Sequence, residues 1–475
     1  MSSTFFGFNV AVSGLHASQR ALYVTGHNIS NANTEGYSRQ RLEVKPGNPL
    51  PIPNSEGMLG TGVDTDKVIQ IRDGFLDFKY RTENQNLGEW EARQEILESL
   101  ELVMNEPSDS GMREVMDEFF ESLQTLSSNP EDQTVRALVR EKAIAFTTTV
   151  NRMGNQLREM QEDLDFNVRA TVDQINGYGK SIAALNDQIF RAELDGSNAN
   201  DLRDQRNLLL DKLSELTDIQ TIEDGQGKMQ VLIGGTQLVN HDRSKELVCE
   251  DRKVLNNDTD VPNLGEVVWD DGAKINITTG KLKALMDGRD NIDGDKKGVP
   301  YYIERLNEFT SVLADEINEV HEKGYGLNGD TGIKFFEYDP NYPSNTIKIS
   351  DDIDGDLNKI AASSTKEGLP GDGKNILEMN KLKDKADMFK WGKPGDFMNS
   401  LISNLGVDAA QAKNMSINQT VLVEETNRKR QSVSGVSLDE EMSNMVRFQQ
   451  SYNANARMIT TMNEMLDTII NRMGV

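Results

Sequence analysis

At 475 residues the chain exceeds one ordinary domain and implies roughly three or more. It is 36% hydrophobic, 6% aromatic and 27% charged, which is lean in core material and fits an elongated helical protein better than one large compact enzyme. A net charge of −26 argues against a nucleic-acid partner, whose phosphates it would repel, and one cysteine, Cys249, excludes an intrachain disulfide.

The location of the charge adds to this. Residues 1–45 carry a net charge of +2 and residues 432–475 a net −2, so the whole −26 belongs to the stretch between them. Near-neutral ends can pack against copies of themselves, whereas an acidic middle must stay solvated. The opening MSSTFFGFNVAVSGLHASQR has neither a basic leader nor a long apolar run, so no secretory signal peptide is expected. No segment is long and apolar enough for membrane insertion.

Along the chain, Phe5, Phe8, Val12, Leu15, Gln19, Leu22, Gly26 and Ile29 alternate by three and four, a narrow coiled-coil seam. Asn28 to Gly36 is rich in Asn, Ser and Thr, which compete with the helical backbone for hydrogen bonds, so the helix should stop near Asn31 to Asn33. Tyr37 to Val44 alternates as a short strand, and Pro46, Pro49, Pro51 and Pro53 mark an extended link. Helices are expected over Leu87 to Met104 and Met112 to Leu126. A much longer one opens at Pro130, with Gly177 and Gly179 as a potential bend, and Asp201 to Leu216 forms another. From Thr217 the period shortens: Met229 to Val239 reads as strand–turn–strand around Gly234 and Gly235, with strand-like pieces on to Thr278. Helix returns over Lys281 to Asp287 and Tyr301 to Lys323. Residues 330–396 are rich in Gly, Asp, Asn and Pro and suggest a small irregular region containing β structure. Helix resumes through 397–430 and from Leu438, where Met445, Phe448, Tyr452, Asn455, Ile459, Met462, Leu466, Ile469 and Met473 repeat the coiled-coil spacing.

Three segments invite a catalytic or ligand-binding reading. Gly324 to Gly329 spells GxGxxG, but it follows a helix where a dinucleotide turn needs a preceding strand, so a glycine-rich helix exit is favoured. Gly368 to Lys374 has P-loop spacing, yet Asn375 stands where Ser or Thr would ligate magnesium, and no apolar strand precedes it. Asp351, Asp352, Asp354 and Asp356 suggest calcium, but an EF-hand counted from Asp352 places Leu357 and Ser363 where Gly and Glu are required. His16, His27, His241, His321 and Cys249 are too scattered for a zinc site, and His321 is expected to cap or pack. No catalytic residue, cofactor or metal is therefore expected.

The two terminal seams remain. Fixing a helix backbone costs about 1–2 kcal/mol per residue, and a buried large apolar side chain returns about 1.5–3 kcal/mol. Roughly nine seam positions over about thirty residues cannot offset that ordering by themselves, so the ends are expected to order on assembly, with Asn455 fixing register. Spacing alone leaves open the alternative of helices packed on their own domain.

NISNANTEGYSRQR (28–41) and GVSLDEEMSNMVRFQQSYNANARMITTMNEMLDTIINRMG (435–474) resemble the terminal signatures of the flagellar axial proteins of rod, hook and junction. FFESLQTLSSNPED (119–132), DLRDQRNLLLDKLSEL (201–216), TGKLKALMDGRD (279–290) and the stretch 302–336 are similar to the hook-associated branch of that family, at the first hook–filament junction. The likeness covers most of the chain and fades in 241–275 and 340–396. It implies a multidomain, mainly α fold with β-rich outer parts. Terminal helices in 1–45 and 432–475 would pair as a coiled-coil assembly domain. A helical middle domain would comprise 46–216, 281–335 and 397–431, with a β-rich outer domain at 217–280 and an insertion at 336–396. It also implies a structural, non-enzymatic subunit of a tubular homo-oligomer. Its partners would be the hook protein, the second junction protein, an export chaperone and the type III export apparatus. The alternatives are another axial protein, such as the hook subunit or second junction protein, a secreted coiled-coil adhesin or effector, and an enzyme on the β region.

Overall fold

The fold comes from a computed structural model, which describes residues 6–51, 57–104, 111–225, 227–294 and 296–472. It is 63% helical, with long helices toward both ends and several small sheets, a multidomain and mainly α architecture. The chain divides into two compact units. The first combines residues 1–85, 175–246 and 420–475, and the second 86–174 and 247–419.

Helix α1 (Phe6–Ser30) ends where the Asn-rich run begins; Asn31 N–H still reaches the His27 carbonyl, and Gly36 turns the chain at φ 79°. Strand β1 (Gln40–Pro46) follows, then the short β2 (Leu50–Pro51) and β3 (Met58–Leu59), and β4 (Val63–Gln70), which pairs antiparallel with β1 from Gln40↔Gln70 to Pro46↔Val63. Helix α2 (Gly74–Met104) starts well before Leu87, where hydrophobic periodicity places it. Its first turns are pinned by polar groups: Arg81 Nε donates to Asp211 (2.8 Å), Asn84 to Ser214 Oγ (3.1 Å) and Gln85 to the Ile219 carbonyl (3.2 Å). Burial through hydrogen bonds leaves no apolar stripe to read.

Next come α3 (Met112–Ser128), α4 (Gln133–Ala192) and α5 (Asn200–Leu216). Helix α4 continues without interruption over its 60 residues, Gly177 and Gly179 included. At Gly179 the missing side chain has a packing use, since a Cβ there would lie 3.3 Å from Leu238 Cγ. Strands β5 (Ile219–Glu223), β6 (Met229–Ile233), β7 (Thr236–Asn240) and β8 (Arg243–Ser244) form a four-stranded antiparallel meander in the first unit. Gly234 and Gly235 close its β6–β7 hairpin with φ of 54° and 85°, as a two-residue hairpin turn demands. Strands β9 (Leu247–Asp251) and β10 (Gly265–Trp269) pair separately in the second unit, so the 217–280 stretch is shared between the two.

The second unit continues with α6 (Lys281–Asp290) and α7 (Val299–Lys323), then β11 (Phe336–Glu337), α8 (Pro343–Thr346), β12 (Lys348–Ile349), α9 (Asp351–Gly355) and α10 (Lys374–Lys381). Only two residue pairs join β11 to β12, and 336–396 is mostly short helices and turns. It is nonetheless core material: Phe336, Ile349, Ile353, Ile360, Ile376 and Met379 are buried. An aromatic cluster of Phe119, Phe120, Phe146, Phe335 and Phe336, with centroids 4.8–6.1 Å apart, anchors that core. Helix α11 (Pro394–Ser434) then runs to the last helix, α12 (Leu438–Asp467), which is capped by Ser437 and followed by a π turn over Thr468–Arg472.

Candidate functional site

The three segments that mimic ligand motifs have structural explanations. Gly324 and Gly326 lie at the exit of α7, where a Cβ would strike the Asn375 side chain and, at 2.6 Å, the Asn358 carbonyl. A Cβ at Gly373 would come closer still to the Ser127 carbonyl. Asp351 and Asp352 pair with Lys348 and Lys359 (2.5 Å each), and Asp356 Oδ1 accepts from Asn358 N–H (3.0 Å). Among the described residues no group of His, Cys, Asp or Glu could hold a metal ion. His321 is fully buried: Ala361 N–H donates to Nε2 (2.9 Å), which leaves Nδ1–H to donate to the Ile333 carbonyl (2.7 Å).

The termini hold the arrangement of interest. Helices α1 and α12 pack antiparallel: Gly7 meets Met462, Gly14 meets Asn455, and Asn28 donates to Glu441 (3.1 Å). Steps of seven on one helix match steps of seven on the other, a heptad register. The most enclosed positions of α1 are small or polar, namely Ala11, Ser18, Ala21, Thr25 and Asn28. They share a stripe with Gly7 and Gly14 and let the backbones approach closely. The large residues Phe8, Val12, Leu15, Leu22 and Ile29 stand one position further round and are half-buried. On α12, Met445, Phe448, Tyr452, Asn455, Ile459, Met462 and Leu466 are also half-buried, while Ile469 is exposed and Met473 lies outside the described residues. The small-residue heptad was present in the sequence, but a search for large apolar residues passes over it by one position.

A polar knot ties the base of this pair. Asn28, 1% exposed, accepts from Gln40 N–H (2.9 Å) and Tyr37 OH (2.8 Å) and donates to the Gln40 carbonyl (2.9 Å). Glu441, 2% exposed, takes Arg39 Nε at 2.9 Å, while Arg39 N–H donates to the Ser434 carbonyl. Ser38 donates through N–H and Oγ to Asp204 (2.9 and 2.6 Å), which Arg72 also meets at 3.2 Å. Burial holds the Asp204 carboxyl above its usual range against these donors. Burial, with Asp201, Asp204 and Glu441 nearby, drives the Tyr37 phenol well up. The NISNANTEGYSRQR run therefore fastens α1, β1, α5 and α12 together through buried hydrogen bonds, each costly to leave unmade.

Beyond the knot, a cavity of about 520 Å³ opens between α1, α12, β1 and β4, with Ala21, Val24, Leu42 and Phe448 beside Arg39, Arg41 and Arg447. Large apolar side chains are also left exposed around α12 and the turn that follows it, namely Met442, Val446, Met458, Met465, Ile469 and Ile470, and Glu441 is the helix's one buried residue. The terminal pair thus leaves apolar helical surface half-buried or exposed.

The terminal pair and its Asn-rich knot carry the sequence signatures of the class of flagellar axial proteins. Residues 8–37 match the model for the flagella basal body rod protein, and residues 429–473 match that for the flagellar basal body rod FlgEFG protein C-terminal. Residues 97–336 match the flagellar hook-associated protein FlgK helical domain. The chain is 34% identical to flagellar hook-associated protein 1 of Bacillus subtilis (strain 168), covering 100% of this chain and 99% of that one. It is 27% identical to flagellar hook-associated protein 1 of Escherichia coli (strain K12), over 98% and 99% respectively. In fold it resembles the flagellar hook junction protein FlgK from Burkholderia pseudomallei, with a TM-score of 0.63 at 15% identity, covering 75% of this chain and 100% of that chain. The chain belongs to the flagellar hook-associated protein 1 family, and its place is the flagellum.

Proposed function

We propose that this chain is a structural subunit of the hook–filament junction, that it assembles with copies of itself through its terminal helices, and that filament attachment depends on it. The observation that carries the reading is the set of large apolar side chains left exposed on α12, among them Met442, Val446, Met458 and Met465, on a helix already fastened at its base by Asn28 and Glu441. Large apolar side chains left exposed in this number along one helix suit a protein–protein contact. The half-buried seam from Phe8 to Ile29 and from Met445 to Leu466, and the cavity beside Phe448, offer further surface to neighbouring subunits. The partners on either side are the hook protein and the second junction protein. Export runs through the type III apparatus, with a chaperone covering the C-terminal helix beforehand, and the subunit works outside the cell.

Met465 separates this from a helix that merely packs on its own chain, because its side chain is exposed. Met465→Asp should leave the melting temperature and the amount of secreted protein unchanged, because a free carboxylate there stays hydrated. In a dry intersubunit contact the same charge costs several kcal/mol or more, so filaments should be lost from a strain carrying only this variant. Normal filament counts with Met465→Asp would remove the exposed apolar flank of α12 at Met465 from the assembly surface.

A further inference from the structure

The second unit carries a ridge and a groove on different faces. The ridge is on α11, where Val407, Ala410, Asn414 and Ile417 follow one another at steps of three and four, all exposed, Val407 by 65% and Ile417 by 54%. The opposite face of that helix, Leu401, Leu405, Ala409 and Ala412, is buried. Residues 409–419 contain no acidic side chain and one basic one, Lys413, in a chain with 77 acidic residues. Freedom from acidic charge combined with exposed Val and Ile suits an interface centre.

The groove, about 400 Å³, runs between α2 and α4. Its floor is Ile96, Val103, Met160, Leu164 and Leu285, and its rim carries Glu95, Glu159 and Asp163, all three exposed and none held in an ion pair among the described residues. Glu101, which lies toward Gly406 of α11, stands two residues and so about 200° round α2 from Ser99 of the groove. The ridge on α11 therefore cannot fill the groove of its own chain.

We infer that the α11 ridge of one copy seats in the α2–α4 groove of the next, with Val407 and Ile417 on the apolar floor and Lys413 meeting the acidic rim. The inference rests on the self-assembling reading above and adds a second contact, away from the terminal helices. The two surfaces differ, so the contact is head-to-tail and repeats from copy to copy, as a tube requires.

Cross-linking tests it in whole flagella. In a Cys249→Ser background, Glu95→Cys and Ile417→Cys are placed together or singly in a strain lacking the native chain, and detached flagella are treated with a short bis-maleimide. The pair should give a ladder of dimers, trimers and longer species, while each single variant stays monomeric. Dimers from Ile417→Cys alone would set ridge against ridge and overturn the assignment. Filament-bearing flagella that contain the protein yet give no ladder would overturn it and leave the junction reading standing. Absence of the protein from flagella with intact filaments would overturn the junction reading itself. Should the double variant fail to build, Lys413→Glu decides: filament number should fall several-fold as the acidic rim repels it, and an unchanged count rejects the contact.

Discussion

Among single residues, His321 shows how a histidine can be structural and still respond to pH. Burial, helped by the Arg136 charge, lowers its pKa from 6.5 to about 4, although the Ile333 carbonyl opposes the shift. A histidine held neutral in the fold takes up protons more readily once unfolded, so between pH 6.5 and about 4 the unfolded state binds more protons and stability falls with pH. Above 6.5 the contribution is complete; below about 4 it has been lost. The shift corresponds to about 3 kcal/mol. His321→Gln cannot titrate, so the difference in unfolding free energy between wild type and variant should shrink by up to that amount from pH 6.5 to 4. A difference that stays constant across that range would show that the ring is not held neutral. The sequence marked His321 as a capping or packing residue because it precedes a glycine exit, but Ile333 and Ala361 lie too far along the chain to be read as its partners.

At the scale of elements, the antiparallel pair of α1 and α12 rests on small residues. Gly14 faces the Asn455 carboxamide, where a Cβ would sit 2.8 Å from Oδ1. Replacing a mid-helix glycine gains about 1 kcal/mol of helix propensity. For Gly14→Ala that gain and a small rotation of the Asn455 amide should nearly cancel. For Gly14→Leu the overpacking, about 1–3 kcal/mol, should win and push the helices apart. Hydrogen exchange of amides 444–462 should rise in Gly14→Leu and stay near wild type in Gly14→Ala; equal protection in both would mean that the helices pair in another register. Helical periodicity made both helices legible, and the glycine pair made the β6–β7 hairpin legible. The missed features share a cause. The first turns of α2 are buried by Arg81, Asn84 and Gln85, and the close face of α1 by Gly, Ala and Ser, and neither kind of burial writes a hydrophobic stripe.

On the scale of the whole molecule, the question is what holds the terminal helices and what depends on them. Helix α12 fully buries Glu441 alone, while α1 buries five side chains, none larger than asparagine. Ordering thirty helical residues costs about 1–2 kcal/mol each for the backbone, so the pair is held chiefly by its polar knot and by half-buried contacts that a neighbouring copy would complete. The contrast of charge points the same way, since residues 46–431 carry the net −26 while the ends balance. In the proposed assembly, repulsion between acidic middles would have to be overcome by apolar contact at the ends. Removal of residues 438–475 takes away Glu441 and the exposed apolar side chains of α12, while the core of the second unit, drawn from residues 86–174 and 247–419, loses no residue. Calorimetry of the truncated chain should therefore retain a main transition within a few degrees of the full-length one, and a strain carrying the truncation should have hooks without filaments. A drop of the main transition by many degrees would make α12 part of the folding core rather than a surface for assembly. Filaments on the truncated strain would remove the terminal pair from the junction altogether.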